Sequence, residues 1–227
     1  NAHIVVKPYE EKIENESINE LNSLSDIINK RMFSFSGEAI LINKNHTKGI
    51  LVRGYQKKDL KKIDSLKGGI FEGSLEGFDE GTVSIGKDLA LFLDLAVGDE
   101  ISLMSSAGIT TIIGNLPKQD TFTISSIFSS GFAEFDQNVI FMPINDAMPF
   151  FEASEKDIFM EIYLDKPEHV DFAKKKIQDV FPNYYVYSWA DLNKSFFGAL
   201  KVERNVMFII LSLIIVVAAF NIISGIT

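Results

Sequence analysis

The chain of 227 residues contains no cysteine. Disulfides and thiolate metal sites are therefore excluded, although no compartment is, since many envelope proteins also lack cysteine. Histidine is nearly as scarce. His3, His46 and His169 lie far apart in the sequence, without the close spacing of a metal-binding pair. Basic residues are in the minority, 22 Lys and Arg against 31 Asp and Glu, which leaves a net charge of −9. That balance lacks the electropositive footprint of a nucleic-acid binder and opposes flat adsorption onto anionic lipid. Charge then vanishes at one place. The stretch from Val206 to Thr227, VMFIILSLIIVVAAFNIISGIT, carries no ionisable side chain.

At a rise of about 1.5 Å per residue, a helix over that stretch spans roughly 33 Å, enough to cross a bilayer core. Its position at the C-terminal end excludes a secretory signal peptide. A helix buried in a soluble core is rarely apolar on every face for so long. The sequence thus predicts a membrane span over residues 206–227, preceded by a water-soluble part long enough for one large domain or two small ones. A first residue other than Met and a last residue inside an apolar run read as a fragment of a longer membrane protein.

Along the soluble part, Ile4-Val5-Val6 predicts a short strand closed by Pro8, which lacks a ladder donor. Ile18, Leu21, Leu24, Ile27 and Ile28 recur at spacings of three and four and predict an amphipathic helix between Glu14 and Met32. Two apolar runs, residues 39–42 and 49–52, flank a polar turn and read as a hairpin. Lys57 to Leu66 reads as a short basic helix with a solvated face. From Gly68 glycines become frequent and strands short, apart from one helix over Asp88–Leu95. Strands at 101–104, 121–127 and 138–142 fit a small barrel or twisted sheet. After that come a strand at 159–164, an amphipathic helix at 168–181 and a strand at 184–187. Ser188-Trp189-Ala190-Asp191 has the form of a capping box, opening a helix that runs on into the span.

The expected fold class is therefore α+β. One α+β unit, residues 1–66 and 148–191, is interrupted by a mainly-β insertion, residues 67–147. Residues 192–227 form a helix that runs into the membrane span.

Catalytic constellations are not evident. Gly81-Thr-Val-Ser-Ile-Gly86-Lys87 matches seven positions of a phosphate-binding loop, but Asp88 stands where a Ser or Thr should hold magnesium. Val83 and Ile85 also make the segment read as a strand. No G-x-S-x-G elbow occurs, and Glu76, Asp79 and Glu80 read as solvated surface acids. No catalytic, cofactor or metal residue is expected, and the chain is not expected to be an enzyme.

The run Ala199-Leu-Lys-Val-Glu-Arg-Asn-Val-Met-Phe, continuing into Val216-Val-Ala-Ala-Phe-Asn-Ile-Ile-Ser, resembles the second membrane helix of LolC/LolE-type permeases. These are membrane subunits of the lipoprotein-releasing ABC transporter of Gram-negative bacteria. Val83-Ser-Ile-Gly86-Lys87-Asp-Leu89-Ala90 and Leu95-Ala-Val-Gly98-Asp99-Glu-Ile101 resemble the family's G-K-x-L-A and V-G-D-x-V block. That block is shared with MacB-like and FtsX-like permeases. Asn1-Ala2-His3-Ile4 resembles the N-G-H-I that follows the family's first membrane helix. The similarity covers essentially the whole chain.

The resemblance implies a periplasmic domain of two parts, Porter-like and Sabre-like, and an inner-membrane location with residues 1 to about 204 in the periplasm. It implies a permease without covalent chemistry, powered by a separate LolD-type ATPase dimer that uses ATP. The further implied partners are a second permease subunit (LolE-like or a copy of itself), lipoprotein substrates, membrane lipid and a LolA-type periplasmic carrier. Nucleic acid is not among them. In the LolC branch a projecting hairpin, the hook, captures the carrier. By position it falls on residues 105–117, with Ile109, Thr110, Thr111, Ile112, Ile113 and Gly114 at its tip. Isoleucines on a turn fit a partner site, although a LolC hook typically carries a proline near Ile112. Asn205, Met207, Phe208 and Leu211, at the outer end of the span, are the expected substrate-cavity residues. The remaining alternatives are a MacB-type efflux permease, an FtsX-type signalling permease and a membrane-anchored sensor.

Overall fold

The computed structural model describes residues 2–226 apart from 11, 45, 64, 65, 67, 68, 112 and 113. Among the described residues ten strands form one sheet: β1 Ile4–Pro8, β2 Ile28–Asn43, β3 His46–Tyr55, β4 Ile70–Gly73, β5 Thr82–Gly86, β6 Glu100–Thr111, β7 Gly114–Phe128, β8 Val139–Pro143, β9 Phe159–Leu164 and β10 Tyr184–Ser188. The α+β class expected from the sequence is borne out.

The expected helix between Glu14 and Met32 is cut short. An α-helix covers Asn15–Glu20, a 3-10 turn Leu21–Leu24, and the chain enters β2 at Ile28. β-Branched Ile27 and Ile28 sit poorly in a helix. Moreover, β9 offers Arg31, Met32 and Phe33 sheet partners in Ile162, Glu161 and Met160. Pairing and burial thus override a helical spacing of apolar residues.

β2 is the longest strand and serves two assemblies. With β3, β8, β5, β7 and β6 it closes a ring, each strand pairing with the next and β6 returning to β2 through Ala39–Ser105 and Ile42–Ser102. Inward residues of these strands, among them Leu41, Val52, Ile85, Leu103, Ile124 and Ile140, make a continuous core. A closed ring leaves no free edge, which removes a route to aggregation. On the edge it shares with β6, the first half of β2 pairs with β9, and β9, β1 and β10 continue the sheet. The helix Val170–Val180 covers this outer part. Val170, Ala173 and Ile177 pack with Ile4, Val6, Met160, Ile162 and Val186, so that both ends of the soluble part meet in one cluster. A third cluster joins Met32, Tyr55, Leu60, Phe78, Phe128 and Phe141.

Gly86 ends β5 and precedes the helix Lys87–Leu93. A Cβ at this position would overlap the Asp136 backbone, with the Asp136 Cα only 2.5 Å away. The glycine is thus required by close packing, and the near-miss phosphate loop is a strand, as its Val and Ile predict. Gly86→Ala is expected to destabilise the domain by about 3 kcal/mol or more, through overpacking against backbone that cannot rotate away. A urea unfolding midpoint close to wild type would contradict that packing.

Candidate functional site

Three features bear on function: a hairpin, a long helix and a buried polar network at the foot of that helix. The hairpin is the extension of β6 and β7 past the barrel. Its arms pair Gly108 with Pro117, Ile109 with Leu116, Thr110 with Asn115 and Thr111 with Gly114. The structure thus places Ile109, Thr110, Thr111 and Gly114 together at the far end of one hairpin. Ile112 and Ile113 lie outside the described residues. A register shift between Met104 and Gly108 marks the departure from the barrel. The root is tied to the helix Ile144–Phe150, where the Ser105 hydroxyl donates to the Phe150 carbonyl at 3.2 Å and Lys118 Nζ to the Pro149 carbonyl at 3.0 Å.

The long helix runs Lys194–Ile226. Among the described residues it is the one helix long and apolar enough to cross a membrane, and none of its apolar window is buried against the rest of the chain. Asn205, Met207, Phe208 and Leu211 are exposed on it, within an arc of about 160° at 100° per residue. The Ser212 hydroxyl donates to the Phe208 carbonyl at 2.8 Å, a bond that keeps this polar group satisfied in an apolar surrounding.

The capping box read from the sequence is present. Ser188 N–H and its hydroxyl donate to Asp191 Oδ2 at 2.7 and 2.8 Å, and Asp191 N–H donates back to the Ser188 hydroxyl. The helix so capped is a single turn, Trp189–Leu192, and Asn193 steps out of helical geometry before Lys194. Lys174 Nζ reaches Asp191 at 2.7 Å, joining this foot to the helix that covers the sheet. The Trp189 N–H also donates to the His3 carbonyl, so the first strand and the foot are held side by side.

Sequence reasoning missed the third feature. Arg53 on β3 and Glu161 on β9 reach across β2 and form an ion pair in which the side chains are 16% and 4% exposed. Tyr55 donates to Glu161 Oε2 at 2.9 Å, and Arg53 Nη2 also bonds the Tyr55 hydroxyl. Burial by itself would lower the Arg53 pKa, but Tyr55 and Glu161 outweigh it and raise it. Burial, with Glu161 nearby, pushes the Tyr55 hydroxyl well above its usual range. Arg53 is therefore charged and Tyr55 protonated at neutral pH. A signal was present, a carboxylate in the middle of the apolar strand Phe159–Leu164, but its partner lies 108 residues away. Elsewhere, Asp79 of the acidic run pairs with Lys57 at 2.8 Å, and no group of acids or histidines among the described residues is arranged to hold a metal.

No family model matches the chain. It is 29% identical over 199 residues to the lipoprotein-releasing system transmembrane protein LolC of Neisseria meningitidis serogroup B, covering 84% of this chain and 47% of that protein. It is 30% identical over 191 residues to LolC of Xylella fastidiosa, covering 83% and 46%. It is 26% identical over 189 residues to LolE of Haemophilus influenzae, covering 82% and 45%. The chain thus spans about half the length of these curated relatives. Among solved structures it resembles the periplasmic region of MacB from Actinobacillus actinomycetemcomitans, with a TM-score of 0.51, 12% identity and coverage of 86% and 92%. It also resembles the extracellular domain of the ABC-type transporter YknZ from Gram-positive bacteria, with a TM-score of 0.50, 14% identity and coverage of 83% and 100%. The structural likeness establishes the fold. The resemblance to LolC and LolE read from the residues is borne out over most of the chain.

Two predictions follow from the foot and the network. Asp191 is held at about 2, below the ordinary 3.8, chiefly by its hydrogen bond from Lys174 and the Ser188 N–H. A depressed carboxylate stabilises the fold above its unfolded pKa, so this contribution is present above about pH 4 and is lost as pH falls towards 2. An NMR titration should place the Asp191 midpoint near 2 and move it up in Lys174→Ala; a midpoint near 4 in the native chain would contradict the geometry. Glu161→Ala, which strands a buried guanidinium, should cost about 3–5 kcal/mol, and the paired change Arg53→Met with Glu161→Leu should cost much less. Trp189, the single tryptophan, reports the unfolding. Equal losses for the two variants would mean that the pair is not acting as a unit.

Proposed function

Starting from a chain similar over most of its length to LolC/LolE-type permeases, we propose that it is the extracytoplasmic domain and following membrane helix of a lipoprotein-releasing permease subunit. In this reading it does no covalent chemistry. A separate LolD-type ATPase dimer spends ATP, and a second permease subunit, LolE-like or a copy of itself, completes the membrane part. The complex draws acylated lipoproteins from the inner membrane and passes them to a LolA-type carrier. Residues 1 to about 204 stand in the periplasm. Residues 1–66 and 148–191 would correspond to a Porter-like unit and 67–147 to a Sabre-like insertion whose barrel is completed by β2 and β3 of the first unit, with the hook at 105–117.

The observation that carries this reading is 30% identity to a curated LolC over 83% of the chain. A helix of suitable length and apolarity at the C-terminal side supports it, and so does a fold held in common with permease domains. The MacB likeness is one of fold alone, so an efflux role has no separate support. The hairpin supports the LolC-like form of the proposal, since a β-ribbon that continues past the barrel pairing is a form a carrier can recognise through its backbone. Asn205, Met207, Phe208 and Leu211 would face the lipoprotein cavity. The motion would be mechanical. Closure of the ATPase would travel up the helix from Ile226 to Lys194, and the Asp191–Lys174 contact would pass it to the sheet.

The test is binding of purified LolA-type carrier from the same organism to the folded domain, read by calorimetry. Wild type should bind, and Ile112→Asp should lose about tenfold or more in affinity through a charge set on an apolar tip. A folded domain that binds no carrier would contradict the LolC-like role.

A further inference from the structure

His3 stands where both ends of the soluble part converge, just before β1 and beside the foot of the long helix. Three bonds meet on it. Its N–H donates to the Ile162 carbonyl of β9 at 3.1 Å, and its carbonyl accepts from the Trp189 N–H of the foot at 3.2 Å. The third bond uses the side chain: the Leu164 N–H of β9 donates to His3 Nδ1 at 2.8 Å. His3 thus ties the end of β9 to the turn from which the long helix departs.

The side-chain bond fixes the state of the ring. A backbone N–H only donates, so Nδ1 must present its lone pair, and the imidazole is neutral with its proton on Nε2. Leu164 is buried in the cluster that joins the two ends of the soluble part. Its N–H, once deprived of this acceptor, is left unanswered in the interior. His3 itself is half-buried, so protons reach the ring. A proton on Nδ1 takes the lone pair and sets one N–H against another.

Cations already stand on this side of the sheet. The Tyr163 ring lies edge-on to His3, with centroids 5.8 Å apart, and Lys30 Nζ sits over the same ring at 4.5 Å. Arg31, next to Lys30 on β2, bonds the Ile18 carbonyl and Asn22. The carboxylates of the adjoining segments have cationic or amide partners, Asp165 in Asn29 at 2.8 Å and Asp191 in Lys174 at 2.7 Å. His169 lies on the turn that follows β9.

We propose that His3 is a pH-sensitive clasp on the membrane-directed helix: the neutral ring holds the foot to β9, and protonation of Nδ1 opens it. The bond exists only with the neutral ring. Its contribution is therefore full above about pH 6.5, the ordinary imidazole value, and weakens by up to about tenfold for each unit below. The Asp191–Lys174 tie keeps its charges over that range, because Asp191 titrates at about 2. Acid thus loosens the β9 side of the foot and leaves the Val170–Val180 side attached. With the domain outside the cytoplasm, the long helix answers to the acidity of the outer compartment, whatever the chain transports.

The test is hydrogen–deuterium exchange of the whole chain in detergent micelles, read as protection factors so that the intrinsic pH dependence of exchange is removed. Between about pH 7.5 and about pH 5.5 the protection of the Leu164 and Trp189 amides should fall about tenfold, while that of Ile85 in the barrel holds. His3→Asn, whose Oδ1 accepts in place of Nδ1 without titrating, should abolish the fall and keep the high value. His3→Ala should give the low value throughout, and His169→Gln should leave the fall as in wild type. Nitrogen NMR of the His3 ring should show the Nε2–H tautomer at about pH 7.5. Constant wild-type protection, an equal fall in His3→Asn, a fall that His169→Gln removes, or an Nδ1–H tautomer overturns the clasp. The wild-type profile and the tautomer decide the matter even where a substitution unfolds the foot.

Discussion

Everything in this molecule is hung on β2. Along one edge of this 16-residue strand Ser34 to Asn43 pair with β3; along the other the strand pairs first with β9 and then with β6. The β9 pairing ends at Ser34 and the β6 pairing begins at Ala39, so the sheet divides between them. Gly37 stands at the division, and the Phe151 ring packs where a Cβ would be, 2.8 Å away. A side chain there would push the ring out of the barrel's edge. One strand therefore belongs both to the closed ring and to the open sheet from whose last strand the chain leads to the long apolar helix.

The Arg53–Glu161 pair lies over this same strand and ties β3 to β9. Its desolvation is offset only because Tyr55 fills the second carboxylate oxygen and the charges stay in contact. Such a pair adds little to net stability. It does specify register, since sliding β3 or β9 by one residue would turn its charge to the other face and strand the partner. It lies near the helix foot, where Lys174 meets Asp191 and the Trp189 N–H meets the His3 carbonyl.

Local features were legible in the sequence. The Ser188/Asp191 capping box, the strand stopped by Pro8, the Val170–Val180 helix and the charge-free span all follow from spacing within a few residues. What could not be read was long-range. Ile18 to Ile28 carries a helical spacing, and only the distant β9 pulls its end into a strand. The barrel looked like part of an insertion, yet its ring needs β2 and β3 from outside residues 67–147. Glu161 was an acid in an apolar strand with no visible partner. The hairpin residues were located by resemblance and not by their own pattern, and the role of all six rests on that resemblance still.

The central claim is that this chain moves lipoproteins rather than drugs or signals. The direct measurement is to deplete it in its own cells and separate inner from outer membranes. The account predicts that lipoproteins bound for the outer membrane accumulate in the inner one, with their acyl chains intact. Normal lipoprotein sorting in depleted cells would contradict it.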